Sequence, residues 1–161
     1  MHGITDANSS FLYMDSSALV KLYVTESDSA SYRVRTNRSD VLATSWVAYA
    51  EVLATLTRKL SEGNLSREEF SLIMNDVDAD FSDKERRYDI VTPVQFMQNI
   101  GMLHYVLDRH RLRGFDAIHL ASALILRYEL QSAYQDRGFS LGFSSADRRL
   151  IAAAEAEGLD I

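Results

Sequence analysis

Apolar positions along the chain fall into short unbroken runs that alternate with stretches where they recur every three or four residues. That alternation predicts strands and helices in turn. Phe11 to Met14 has no polar break, stops at Asp15, and is followed by Ser16, Ser17 and an apolar helical run from Ala18. A short continuous run fits a strand buried on both faces, and the hydroxyls after it fit a helix start. Residues 16–23 are thus predicted helical, and residues 29–38 form a second helix with a basic side of Arg33, Arg35 and Arg38. Val41 to Thr44 is a second strand, and Ser45 is expected to cap a helix from Trp46 to Leu60 with the stripe Trp46, Tyr49, Ala50, Leu53, Leu56 and Leu60. Ser66 and Glu69 have capping-box spacing and open a helix to Phe81. After a charged loop over 83–87 comes a third strand, Tyr88 to Val91. Thr92-Pro93 then starts one continuous helix carrying Phe96, Ile100, Leu103 and Leu107, ending in the basic run Arg109 to Arg113. Phe115 to Leu130 is an apolar helix, 131–140 a polar connection, and Leu141 to Ser144 a fourth strand. A last helix ends at Gly158, and Leu159 to Ile161 is expected to add an edge strand. Strands alternating with helices predict an α/β fold of three layers, α/β/α, around a mostly parallel sheet of four or five strands.

Composition narrows the class. The 161 residues suit a single domain, taken as 11–161, behind a disordered lead-in over 1–10 whose residues lack the basic-then-apolar order of a secretory signal. No apolar run approaches the ~20 residues a membrane span requires. The absence of cysteine excludes disulfides and thiolate metal sites and fits a cytoplasmic protein. The net charge of −6 means that bulk charge does not hold nucleic acid; a local basic patch or a metal ion that inverts the charge of a site must do so.

The acidic residues have a pattern. Asp15 follows the first strand, Asp147 the fourth, and Asp116 lies in the first turn of the helix after Gly114. Each is explained by capping or by the helix dipole when taken alone. Ser144 and Asp147 themselves have capping-box spacing. Taken together they point to an acidic pocket on the carboxyl edge of the sheet, where open α/β folds bind ligands. Glu51 is different: on its helix it lies nearly opposite the apolar stripe, so periodicity places it in solvent, although Val47, Ala48 and Ala54 around it are small or apolar.

Four stretches in order carry a resemblance: Met14-Asp-Ser-Ser-Ala-Leu-Val-Lys-Leu-Tyr23, Ser45-Trp-Val-Ala-Tyr-Ala-Glu-Val-Leu53, Leu112-Arg-Gly-Phe-Asp-Ala-Ile-His-Leu-Ala121 and Phe143-Ser-Ser-Ala-Asp-Arg-Arg-Leu150. Across them the chain resembles PIN-domain ribonucleases, and is most similar to the VapC toxins of bacterial toxin–antitoxin pairs. The resemblance implies that Asp15, Glu51, Asp116 and Asp147 are the catalytic, metal-binding acids, and that Ser17 and Ser145 are supporting hydroxyls. A threonine is common in the family where Ser16 and Ser145 stand. It also moves Glu51 from solvent to the site. It implies cleavage of RNA phosphodiesters to 5′-phosphate and 3′-hydroxyl ends, a small antitoxin partner and a homodimer, for which Trp46, Tyr49 and Tyr23 are candidate interface aromatics.

Carboxylates without His or Cys partners suit Mg²⁺ or Mn²⁺. Such an ion both activates water and neutralises phosphate oxygens. On that chemistry His119, on the same helical side as Asp116, reads as a hydrogen-bonded packing histidine rather than a ligand. Lys21 pairs with a site carboxylate or sits in solvent. Arg109, Arg111, Arg113 and Arg148 are candidates for phosphate contacts, or cations placed by helix ends. Rival classes fit less well. A haloacid-dehalogenase phosphatase needs a second Asp where Ser17 stands, and a receiver domain needs an acidic pair before its first helix. A PIN-like binding module without nuclease activity has no reason to keep all four acids.

Overall fold

The computed structural model describes residues 9–82, 86–135 and 138–161. Strand β1 (Ser9–Met14) lies inside the sheet because it has a parallel partner on each side. Phe11 stands beside Val41 of β2 (Val41–Ser45) on one side and beside Leu141 of β4 (Phe139–Ser144) on the other. Outside β2 lies β3 (Tyr88–Val91), again parallel, giving four strands in the order β3-β2-β1-β4. All four carboxyl ends therefore open on one edge.

The pleat of β1 sorts its side chains into two cores. Phe11 and Tyr13 pack into the layer that carries α5 (Pro93–Gln98), α6 (Gly101–His110), α7 (Gly114–Ala133) and α8 (Arg148–Ala156), with Leu120, Leu124 and Leu150 at its centre. Leu12 and Met14 pack with α1 (Ser16–Tyr23), α3 (Val47–Ser61) and α4 (Arg67–Phe81); Tyr32 of α2 (Ser29–Asn37) joins this second layer. The result is the expected α/β/α arrangement. Among the described residues no helix is long and apolar enough to cross a membrane.

Several boundaries differ from expectation. The helix expected from Pro93 onward is two helices, because the side chain of Asn99 takes the Gln95 carbonyl at 2.9 Å while its own amide bonds Phe96 one residue short of the helical partner. Ser45 does not cap α3. It ends β2, fully buried, and its hydroxyl accepts a bond from Ser122 at 3.2 Å. Trp46 holds the cap position without a side-chain bond. Beyond α8 only an isolated parallel bridge, Gly142 to Asp160, stands where an edge strand was expected. Ser9 and Ser10 belong to β1, where they pair with Phe139 and Ser140. The remainder of the expected lead-in, residues 1–8, and positions 83–85 of the charged loop lie outside the described residues. The polar connection over 131–140 is shortened from both ends, by α7 running to Ala133 and β4 beginning at Phe139.

Candidate active site

Asp15 sits where β1 hands the chain to α1, and it is the cap of that helix. Its Oδ1 accepts the amide of Ala18 at 2.8 Å, which caps α1, and the hydroxyl of Ser17 at 2.7 Å. Its Oδ2 accepts the hydroxyl of Ser145 at 2.6 Å. The side chain is only 4% exposed, so hydroxyl and amide donors replace the water that a carboxylate at this depth has lost. Ser17 and Ser145 also hold the loop after β4: the Ala146 amide donates to Ser17 Oγ at 2.8 Å and the Asp147 amide to Ser145 Oγ at 2.9 Å. The two hydroxyls thus fasten the first strand–helix turn to the last.

Asp147, not Ser144, is the cap of α8; its Oδ1 accepts the amides of Arg149 at 2.7 Å and Leu150 at 3.2 Å. Asp116 lies half-buried in the first turn of α7. Its carboxyl is pushed above the usual aspartate range, first by burial, then by the negative charges of Asp147 and Asp15, and to a smaller extent Glu51, with His119 opposing. Asp116 therefore feels the charge of three other acids drawn from both halves of the sequence. Glu51, Asp116 and Asp147 line a single cavity of about 520 Å³, together with Arg113, Gly114, Phe115 and Ile118; Asp15 is buried and is not part of that lining, but its charge reaches Asp116.

Glu51 is not free in solvent as its helical phase alone predicts. Its Oε2 lies 2.7 Å from Nε2 of His119, whose ring is 1% exposed and whose Nδ1 is 2.9 Å from the Tyr13 hydroxyl. Burial holds the Tyr13 phenol well above its ordinary value, so its proton stays on. His119 is thus the packing histidine expected, and it also touches Glu51, which periodicity does not reveal.

The basic candidates separate. Arg113 lines the cavity. Arg148 is exposed at the start of α8. Arg109 instead reaches Glu157 at 3.2 Å and lies over the Tyr105 ring, and Arg111 closes α6 in the left-handed conformation at φ 51. Lys21 takes neither of its two expected roles. It pairs with Glu26 and, at 2.8 Å, with Asp28, and Glu26 also receives Lys59 at 2.5 Å. Of the candidate interface aromatics, Tyr23 is tied internally to Asp80 and Tyr88, while Trp46 and Tyr49 line a separate hollow of about 370 Å³.

The lysine pair holds Glu26 below the usual glutamate range, Lys21 contributing more than Lys59. A carboxyl whose folded value is depressed adds stability at pH above its ordinary 4.5 and loses that contribution as the pH falls through the lowered value. Glu26→Gln is therefore expected to lower the urea midpoint at pH 7, and the gap from the parent protein is expected to close in acid. A gap that is the same at both pH values would remove the ion cluster as its cause.

Among the described residues, no three acidic or histidine side chains converge as they stand into a ready metal cage. The donors around the cavity are nevertheless all carboxylate oxygens, the set that a hard divalent cation takes.

Helices on both faces of a four-strand parallel sheet, with acids from separate segments meeting at its carboxyl edge, define a PIN-like α/β protein. No protein-family model matches the chain. Ribonuclease VapC45 of Mycobacterium tuberculosis (strain CDC 1551 / Oshkosh) is 34% identical over 147 residues, covering 91% of this chain and 91% of its own length. Ribonuclease VapC49 of Mycobacterium tuberculosis (strain ATCC 25618 / H37Rv) matches to the same extent, 34% over 147 residues and 91% of each chain. The chain belongs to the VapC family of PIN-domain ribonucleases.

Proposed function

We propose that this protein is a metal-dependent endoribonuclease, the toxin of a toxin–antitoxin pair, and that Asp15, Glu51, Asp116 and Asp147 are its working acids. The observation that carries the reading is the cavity that Glu51, Asp116 and Asp147 line together, with Asp15 near enough for its charge to reach Asp116. The near-full-length similarity to two proteins named ribonuclease supports the choice of RNA as substrate.

The four carboxylates would hold Mg²⁺ or Mn²⁺, which when bound supplies the charge to neutralise phosphate oxygens and activate water. The chain's own residues do the rest. Ser17 and Ser145 keep both oxygens of Asp15 aimed while holding the loop that carries Asp147. Arg113, which lines the cavity, offers a cation to a phosphate. Phe115, 57% exposed on the cavity wall, offers a face on which an unpaired base stacks. Phe115→Ala is accordingly expected to raise KM for a short single-stranded RNA about tenfold, in line with a stacking contribution of roughly 1–3 kcal/mol, with kcat little changed and Phe115→Tyr near the parent. A fall in kcat alone would remove the stacking role.

The direct test is incubation of purified protein with single-stranded RNA, with and without Mn²⁺ and with chelator. Cleavage only with metal, leaving 5′-phosphate ends, is the expected result; undiminished cleavage in chelator would overturn the metal requirement. A small antitoxin encoded next to the gene is expected to co-purify on co-expression and to inhibit by placing an arginine among the acids. The protein is expected to be a cytoplasmic homodimer, which sedimentation tests; a lone monomer would count against that part.

A further inference from the structure

We propose that His119 is a positioning residue that aims Glu51 into the acidic cavity, and that Tyr13 fixes His119 in turn. The inference rests on reading Glu51 as a metal-binding acid. The outward phase of Glu51 on α3 is the starting point. The buried residues of α3 are Val47, Ala48, Val52 and Leu56, so helix packing alone does not direct the Glu51 carboxylate. The contact that does so comes from α7.

Donor and acceptor roles follow from the partners. An ionised carboxylate only accepts, so His119 Nε2 carries the hydrogen that bonds Glu51 Oε2 at 2.7 Å. In the neutral ring Nδ1 is then the acceptor, and the Tyr13 hydroxyl donates to it at 2.9 Å. Tyr13 has no freedom to follow a moving histidine. It is fully buried, stacked on Phe143 with ring centres 5.5 Å apart and planes 6° apart, and its ring edge meets the His119 ring at 6.0 Å. The chain of contacts thus begins on a rigid strand and ends on a half-exposed glutamate.

The positions of the three residues give the relay its sense. Tyr13 lies two residues before Asp15, and His119 three residues after Asp116. Bonding Tyr13 to His119 and His119 to Glu51 therefore sets β1, α7 and α3, the elements that carry or adjoin three of the acids, in one register. A glutamate already held through one oxygen keeps the other for a ligand and has less side-chain freedom to lose when the ligand arrives.

Two amide replacements separate aiming from packing. The side-chain nitrogen of His119→Gln reaches roughly the place of Nε2 and can donate to Glu51. That of His119→Asn reaches only the Nδ1 end, beside Tyr13. Mn²⁺ affinity is read from the electron-spin signal of free Mn²⁺, and stability from melting without metal. Both variants are expected to melt lower than the parent to a similar degree, since each loses one of the two bonds. Affinity is expected to fall about tenfold or more in His119→Asn, the usual cost of losing a partner behind a metal ligand, and to stay near the parent in His119→Gln. In a Glu51→Gln background, His119→Asn is expected to cause no further loss of affinity. If His119→Asn does not fold, Tyr13→Phe, which keeps the ring packing and removes the anchor, decides: weakened Mn²⁺ binding supports the relay and unchanged binding overturns it. Equal affinities in the Asn and Gln variants, with normal binding by the parent, overturn the positioning role alone. A parent that binds no Mn²⁺ overturns the metal reading of the site, and this proposal with it.

Discussion

Asp15→Asn is expected to leave a folded protein that no longer cleaves RNA. The amide oxygen of Asn can still take the Ala18 amide and the Ser17 hydroxyl, so the cap of α1 survives. The amide nitrogen replaces Oδ2, where Ser145 now donates at 2.6 Å. Ser145 must turn its proton elsewhere, and Ser17 Oγ stands 3.4 Å away to receive it. One hydrogen bond is reversed and one buried negative charge removed, so the stability of the metal-free protein is expected to change by no more than about 1 kcal/mol. Mn²⁺ should then stabilise the variant far less than the parent, because a ligand raises melting only through its affinity for the native state. Cleavage is expected to fall by several orders of magnitude. Melting curves with and without Mn²⁺, alongside an RNA cleavage assay, check each part; parent-like cleavage by the folded variant would leave the proposed site without its central residue.

Leu150→Ala is expected to have the opposite profile, a large cost to the fold with the acids untouched. Leu150 is fully buried in the core between the sheet and α7, in the first turn of the helix that Asp147 caps. Truncation to the methyl removes three side-chain heavy atoms with their contacts and leaves a cavity, a change that costs about 3 kcal/mol. For a chain of this size the melting temperature should drop by roughly 10 °C. Calorimetry measures it directly, and cleavage by the folded fraction at low temperature should remain. A drop of less than about 2 °C would mean that α8 is not held by this core. Paired with Asp15→Asn, the variant separates damage to the chemistry from damage to the scaffold.

The parts of the fold that were legible in the sequence are those set by local chemistry. The Ser66 and Glu69 pair forms both bonds of its capping box, and so do Thr92 and Gln95 behind Pro93. The apolar run before Asp15 is the buried carboxyl-terminal part of β1. What was illegible depends on partners distant in the sequence. Periodicity places Glu51 by the face it occupies on α3, but its surroundings are set by a histidine 68 residues away. Ser45 reads as a cap because serine often is one, whereas here Ser122 of α7 accompanies it into the core. Ser9 and Ser10 join β1 because β4 lies alongside and Asp40 bonds Ser10 on the other side, and nothing within the polar pair announces a strand. The helix break after Gln98 was missed for a local reason, since an asparagine at the wrong turn competes for a backbone carbonyl.

The strand order sets when the acidic cavity can exist. During synthesis the ribosome delivers β1, α3 and α7 with Asp15, Glu51 and Asp116 before it delivers β4. β1 therefore waits for its second neighbour, and Asp15 waits for Ser145, which follows it by 130 residues. The loop carrying Asp147 can be fastened to Ser17 only after that pairing. Contacts so far apart in sequence form late, because the chain between them must be ordered first. A nascent chain stalled before β4 therefore carries Asp15, Glu51 and Asp116 without Asp147, so the ribosome has delivered most of the chain before the cavity can be complete.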